Sequence, residues 1–347
     1  MREQKFINSE LCHDLLLTKM QPKLAYSQMV DYDEWKRELQ AKFLELTGLD
    51  EIAKSDCPLN FDVEWKEEKD GYTLIRFTFD SEIGETVPCY LLVPNTGKKK
   101  YPVAITMQGH TTGFHNSIGE PKSEEDEKNY PRNAFAIQAV QNGFIALAIE
   151  QRGMGERKPF HGNRLPQSKC VYASRVAISL GRTILGERIW DIHKAIDVLE
   201  QYFPECDMDK ILITGNSGGG TISYYSACYD QRIKLSVPSC SFCSYKESIL
   251  SIAHCACNYI PLAYKYFDMQ DLACMIAPRK LVVVTGEKDT IFPIDGVRRS
   301  YETVKAIYAK NQADHHCRLI ETPMDHWWCV DIVWNAINEE CKKLGWK

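Results

Sequence analysis

Ile211-Leu212-Ile213-Thr214-Gly215-Asn216-Ser217-Gly218-Gly219-Gly220 is the stretch on which the fold turns. A short apolar run reads as a buried strand, and Thr221 to Cys228 continues in a helix-compatible composition. Between them stands G-x-S-x-G, the pattern that places a serine on a sharp strand-to-helix turn with its hydroxyl in the open. Small neighbours let the backbone bend tightly beneath that serine. A serine hydroxyl is a weak nucleophile by itself, so the motif carries chemistry only if the chain also supplies a base and a group to orient it.

Outward from this stretch the chain alternates strands and helices. Val103–Met107, Phe144–Ile149, Leu235–Val237, Leu281–Val284 and Arg318–Ile320 read as apolar strands. Phe135–Gln141, Glu187–Tyr202, Val297–Ala309 and Val330–Lys342 read as helices, with Ile189, Ile192, Ile196 and Leu199 marking one buried face. This alternation predicts an α/β fold: a mostly parallel, doubly wound sheet with helices on both faces. Ahead of it, Phe61 to Val93 alternates residue by residue, as in an antiparallel meander turning at Gly84. Residues from about Ser9 to Leu49 read as helical, with Trp35, Leu39, Phe43 and Leu46 on one stripe before Gly48. The expected organisation is a helical extension over residues 1–56 and a main domain over 57–347. Residues 243–276 are too long for a simple connection and are expected as a helical cap or lid.

In an open parallel sheet, ligands bind beyond the carboxyl ends of the strands. Asp289 follows the Leu281–Val284 strand, where its carboxylate could fix the tautomer of an imidazole, with Glu287 as the fallback. Among nine histidines, His326 follows the last strand and precedes the closing helix. His315 and His316 precede that strand and fall at the wrong end of the sheet, while His13 and His193 lie on helices. Ser217, Asp289 and His326 therefore form the candidate catalytic set, in the order nucleophile, acid, base. Backbone N–H groups of Gly218 and His110 are the candidate oxyanion donors, with Gly109 allowing close approach. Phe114, Phe292, Trp327 and Trp328 are expected at the pocket rim, with core packing the alternative for each. Arg152 is a candidate pocket residue whose preferred reading is an ion-pairing residue that holds the active-site loops, with substrate contact as the alternative.

Composition narrows the classes. A net charge of −5 gives no reason to expect nucleic acid or an anionic membrane as partner. No apolar run approaches a membrane span, and Met1-Arg2-Glu3-Gln4-Lys5 leads into no signal-peptide core, so a cytoplasmic location is expected. The 14 cysteines are scattered, which favours reduced core thiols over a disulfide framework. Cys240-Ser241-Phe242-Cys243 and His254-Cys255-Ala256-Cys257 invite zinc or redox roles, but no second C-x-x-C stands at zinc-ribbon spacing. The expectation is no metal and no organic cofactor. The expected partner is a small molecule, and a homo-oligomer is compatible with the sequence.

The Ser217 motif, Gln108-Gly109-His110, Gln151-Arg152-Gly153, and Ala277-Pro278-Arg279 leading to Gly286-Glu287-Lys288-Asp289 together resemble the α/β-hydrolase superfamily. They resemble more narrowly its dienelactone-hydrolase-like and acetyl-xylan-esterase-like branch, in which a segment like His254–Pro261 also recurs, and the resemblance implies a structural or pocket-lining role for Cys255 and Cys257 rather than metal binding. That resemblance also implies an α/β-hydrolase fold and a serine esterase whose substrate is a small-molecule or carbohydrate ester, such as an acetyl ester. Carbohydrate family 7 deacetylases read R-G-Q, G-x-S-Q-G and H-x-E, where this chain has Arg152-Gly153-Met154, G-N-S-G-G and His326-Trp327-Trp328. Dienelactone hydrolases usually carry a cysteine where Ser217 stands. Peptidase, thioesterase, acyltransferase or carbon–carbon bond hydrolase chemistry on the same residues stays open, as does a non-catalytic binding protein on this fold.

Overall fold

The computed structural model describes residues 10–29, 31–160 and 169–346. The pentapeptide Met1–Lys5 and the start of the expected extension lie outside the described residues. Among those described, nine strands form one sheet: β1 Asp62–Lys69, β2 Tyr72–Glu82, β3 Glu85–Pro94, β4 Tyr101–Met107, β5 Ile145–Ile149, β6 Cys206–Asn216, β7 Ile233–Ser239, β8 Lys280–Gly286 and β9 Cys317–Thr322. Their spatial order is β1-β2-β3-β5-β4-β6-β7-β8-β9. The β1-β2-β3 meander joins β5 antiparallel, and every pairing from β5 through β9 is parallel.

The parallel strands are apolar on both sides because each face carries helices. Along β4, Val103, Ile105 and Met107 enter one core cluster while Ala104 enters the other. Strand β8 does the same, with Leu281 and Val283 on one side and Val282 and Val284 on the other. This two-residue period turns a continuous apolar run into two cores. Helices Ile184–Tyr202, Gly218–Tyr229 and Ile294–Lys310 supply buried side chains to the first core, and Phe135–Gln141 and Val330–Lys343 to the second.

Among the described residues the amino-terminal region holds three helices, Leu11–Lys19, Tyr32–Thr47 and the short Leu49–Ile52. Asp31 caps the second by accepting a hydrogen bond from the Glu34 amide, and Gly48 ends it in the left-handed conformation at φ 78°. Trp35, Leu39 and Phe43 join the first core, where Phe43 stacks on Tyr225 with ring centroids 6.0 Å apart. Residues 243–276 carry one four-residue helix, Ala263–Tyr266, and two 3₁₀ stretches, Ala256–Asn258 and Met269–Met275. Phe267, Leu272, Ala273 and Cys274 of this segment are fully buried in the main core. It is therefore packed mostly as irregular chain, and only the stretch around residues 252–258 overhangs Ser217.

Candidate active site

The order of strands fixes where a site can form. The chain leaves β4 to pair β5 on one side, then returns to pair β6 on the other. That reversal opens a crevice beyond the carboxyl ends of β4 and β6, the place where ligands enter doubly wound sheets. Gly109 and His110 follow β4, and Ser217 follows β6. Asp289 follows β8, and His326 follows β9. His315 and His316 precede β9, where His316 Nδ1 lies 2.6 Å from the Pro278 carbonyl. His193 is held by Asp230 at 2.7 Å.

Ser217 occupies φ 57°, ψ −125°, a sparsely populated region that costs on the order of 1–3 kcal/mol for a residue with a side chain. The surroundings enforce it. Its amide donates to the Ser239 carbonyl at 2.9 Å, and its carbonyl accepts from the Thr221 amide at 2.8 Å. A Cβ on Gly215 or Gly219 would lie 2.2 or 2.0 Å from the Met107 carbonyl oxygen, so neither position admits a side chain. The turn thus stacks directly on β4.

Asp289 is buried, and both its oxygens are engaged. Oδ1 accepts from the amides of Ile291 (2.8 Å) and Phe292 (3.1 Å), and Oδ2 faces His326 Nδ1 at 2.8 Å. Among the described residues His326 Nε2 has no hydrogen-bond partner. The Phe292 ring lies parallel to the His326 ring, at 6.0 Å and 14°. Ser217, Gly218, His110, His326 and Phe292 line one cavity of about 290 Å³, walled by Ile252, Ala253, His254, Cys255, Asn258, Thr221 and Ile291. Glu287, in contrast, is exposed to solvent.

The loop after β4 comes close to this turn. A Cβ on Gly109 would stand 2.9 Å from the Asn216 carbonyl oxygen and 3.5 Å from the Gly218 nitrogen. A hydrogen-bond network pins the loop: Gln151 Nε2 donates to the Gln108 carbonyl, Gln108 Nε2 to Ser117 Oγ (2.8 Å), and Thr111 Oγ1 to Gln108 Oε1 (2.5 Å). Farther along, Asp126 accepts from Thr112 Oγ1, Asn116 Nδ2 and the Lys122 amide. Although burial opposes its charge, these donors hold the Asp126 carboxyl well below the usual carboxylate range.

Four residues weighed for the pocket, Phe114, Arg152, Trp327 and Trp328, stand outside the Ser217 cavity. Arg152 does not line the Ser217 cavity. Its guanidinium is buried against Asp191 (2.8 Å), Glu82 (2.8 Å) and Glu187 (3.6 Å), which ties the loop after β5 to β2 and to helix Ile184–Tyr202. Asp191 also binds Arg157 at 2.7 Å, and against the cost of burial this pair of arginines holds its carboxyl well below the usual range. Trp327 is 39% exposed and packs under the Arg132 guanidinium, 3.7 Å from the ring centroid, outside the cavity. Phe114 and Trp328, also expected at the pocket rim, are instead buried in the second core, where Phe114 stacks on Tyr90 and Trp328 packs edge-on against Phe135.

His254 was not singled out as a pocket residue in the sequence, yet it is one. Its Nδ1 pairs with Asn258 Nδ2 at 3.0 Å, so the amide donates and the ring proton sits on Nε2. Burial, as the largest cause, pushes the ring down to about 4, so it stays neutral at neutral pH. A signal was present in the polar run His254–Asn258, but only folding places it over Ser217.

The comparisons with known proteins agree with this architecture. YtaP of Bacillus subtilis, provisionally assigned as a hydrolase, is 23% identical over 283 residues, 81% of this chain and 91% of its own length. A provisionally assigned acetyl xylan esterase from Bacteroides fragilis superposes with a TM-score of 0.79 at 17% identity, covering 98% of this chain and 97% of that one. The glucuronoyl esterase of Solibacter usitatus gives 0.65 at 13% identity, covering 93% and 97%. At such identities the solved structures show a shared α/β-hydrolase fold. The sequence model of the Abhydrolase family matches residues 1–333, and the chain belongs to that family.

Proposed function

We propose that the protein is a serine hydrolase cleaving a carboxylic ester, with a carbohydrate ester as the substrate class. The reading rests above all on His326, whose Nδ1 is fixed by a buried carboxylate while Nε2 has no described partner in the cavity that also holds Ser217. In this mechanism His326 Nε2 takes the Ser217 proton as Oγ attacks the acyl carbon, and Asp289 stabilises the imidazolium. The Gly218 and His110 amides face the developing oxyanion; each such donor contributes about 2.7–4 kcal/mol. His326 then protonates the leaving alcohol, and water activated by the same ring releases the acid. None of these steps calls on a cofactor.

Two features favour a polar alcohol and a small acyl group. The Ser217 cavity is small and walled on one side by Ile252, Ala253, Ile291 and Phe292. Sharing His110 with it is a second cavity of about 720 Å³ rich in hydrogen-bonding groups, among them Thr111, Thr112, Asn129 and Asn133. A polyhydroxylated leaving group matches such a lining. The names of the structural relatives, acetyl xylan and glucuronoyl esterases, point the same way. His254, neutral and donating through Nε2, is placed to select an oxygen acceptor on the substrate.

The test is covalent labelling by a fluorophosphonate probe, with acetylated sugars and acetyl and octanoyl nitrophenyl esters as substrates. The expected result is labelling that disappears in Ser217→Ala and turnover that favours acetyl over octanoyl. Folded wild-type protein that neither labels nor turns over any of these esters would end the reading.

A further inference from the structure

Three cysteines and a histidine from separate segments converge beside the Ser217 cavity. Cys255 is the N-cap of the 3₁₀ turn at residues 256–258 and Cys257 its middle residue, Cys170 lies in the first turn of helix Lys169–Ser179, and His110 comes from the loop after β4. Their sulfur and ring-nitrogen atoms all lie within 4.8 Å of one another. Cys255 Sγ and Cys170 Sγ are 3.7 Å apart, and Cys257 Sγ is 3.4 Å from His110 Nε2. Zinc bonds of about 2.3 Å to sulfur and 2.0–2.1 Å to nitrogen, set tetrahedrally, give edges of roughly 3.8 Å (S···S) and 3.5 Å (S···N). Both measured separations fall on those edges.

Charge points to the same answer. Arg188 is buried, yet its guanidinium has no carboxylate at ion-pair distance among the described residues; it donates to the Arg152 carbonyl and, at 3.2 Å, to Cys170 Sγ. A buried cation needs a buried anion. A divalent ion with three thiolates carries one net negative charge, which Arg188 balances. Asn258 Nδ2, 3.5 Å from Cys257 Sγ, adds a second donor to the thiolate shell, as outer partners of metal ligands do. A Cys170–Cys255 disulfide would instead remove the anion facing Arg188 and leave Cys257 and His110 without a role.

We infer that His110, Cys170, Cys255 and Cys257 hold one divalent ion of the zinc class in a closed tetrahedral site. Binding releases the three thiol protons to solvent, and the imidazole coordinates as the neutral ring. With four protein ligands no position remains for water, so the ion is structural. It staples the His110 loop, the Cys255–Asn258 turn and helix Lys169–Ser179 around the cavity. The inference stands whether or not the protein is an esterase. It revises the expectation of no metal, which rested on chain-local spacing and on the family resemblance, because the partners are 85 and 147 residues apart.

The test uses the full chain, purified under reducing conditions, with elemental analysis before and after zinc reconstitution and cobalt titration of the chelator-stripped protein. The expected result is one equivalent of zinc per chain, and tetrahedral cobalt bands with thiolate charge transfer. Cys170→Ser and Cys257→Ser should weaken cobalt binding at least tenfold. Less than half an equivalent after reconstitution, an octahedral cobalt spectrum, or a Cys170–Cys255 disulfide in the reduced preparation would each overturn the site. The cobalt readout on the unmutated chain keeps the test decisive if either variant fails to fold.

Discussion

Replacing Asp289 with asparagine changes one atom of the proposed triad while sparing its shape. In the native protein the buried carboxylate accepts from three donors: the Ile291 and Phe292 amides on Oδ1 and His326 Nδ1 on Oδ2. An asparagine keeps its oxygen on the two amides and must turn its NH₂ toward Nδ1, 2.8 Å away in the native structure. Two donors then face each other unless the ring proton moves to Nε2. With Nε2 protonated, His326 can no longer accept the proton of Ser217, and the charge that stabilises the imidazolium is gone. A geometry-sparing Asp-to-Asn change in a serine-protease triad lowers kcat about 10⁴-fold, or about 5.5 kcal/mol at 1.36 kcal/mol per tenfold. The assay is kcat and KM on an acetyl nitrophenyl ester, with circular dichroism and a denaturation curve alongside. Two of the three hydrogen bonds persist, so the unfolding free energy should stay within about 2 kcal/mol of wild type. A folded Asp289→Asn protein retaining more than a tenth of wild-type turnover would refute the assignment. The exposed Glu287 would then be tested as Glu287→Gln.

Gly109→Ala places a methyl group 2.9 Å from the Asn216 carbonyl oxygen and 3.2 Å from Ser217 Cβ, so the loop must retreat and take the His110 amide with it. The expected loss is one oxyanion donor, about 10²–10³ in kcat with a smaller change in KM; a kcat within fivefold of wild type would dissociate that loop from catalysis. Glu150 offers a pH test of stability. Burial pushes its carboxyl up to about 7, against the partial help of the Glu156 and Phe114 amides. The folded value lies above the unfolded one, so the contribution is fully present at low pH and is lost as pH rises from about 4.5 through 7. Glu150→Gln keeps an acceptor for both amides without the charge. It should therefore raise stability above pH 7 by up to about 3 kcal/mol, on the rule of 1.36 kcal/mol per pKa unit, and leave it nearly unchanged at pH 4.5; urea titrations at the two pH values would show equal effects if the cause were something other than ionisation.

The parts legible in the sequence are those whose physics is local. The nearly continuous apolar runs Val103–Met107 and Leu281–Val284 announce strands because both faces are buried, and helix Phe135–Gln141 falls on the residues expected. Ser217, Asp289 and His326 could be singled out because each follows a strand, and parallel strands bring such positions to one edge. Helix Lys169–Ser179 escaped notice because it buries Cys170, Ser174 and Ala177, side chains too small and mixed to give a clear apolar stripe. Arg152 was ambiguous because an arginine after a strand reads alike as anion receptor or as strut. Its partners Glu82 and Asp191 lie 70 and 39 residues away, so only folding resolves the question. Trp327 and Trp328 are adjacent and identical in type. Backbone direction alone sends Trp328 into the core, with its Nε1 on Gln138, and leaves Trp327 at the surface under Arg132.

The cavity wall was the least legible part, and its construction explains why a metal would be used there. Residues 252–258 have neither helix stripe nor strand partner to set their position. Their attachment to the Ser217 turn runs through one amide: Asn258 Oδ1 accepts from Thr221 Oγ1 at 3.2 Å, while Nδ2 meets His254 Nδ1 and Cys257 Sγ. Thr221 lies one helical turn beyond Ser217, and its hydroxyl also reaches the Ser217 carbonyl at 3.3 Å. A single neutral hydrogen bond contributes only about 1 kcal/mol, comparable to the entropy of fixing one residue. Packing of Cys257 against Met154, Ala177 and Ile184 and of His254 against Phe292 adds to this, but neither ties the wall to the proposed oxyanion loop on another strand. Structural zinc sites contribute on the order of 10 kcal/mol or more. A tetrahedral ion gripping Cys255 and Cys257 on the wall and His110 on the oxyanion loop would set both against the same helix, with Asn258 relaying that position to the turn that presents Ser217.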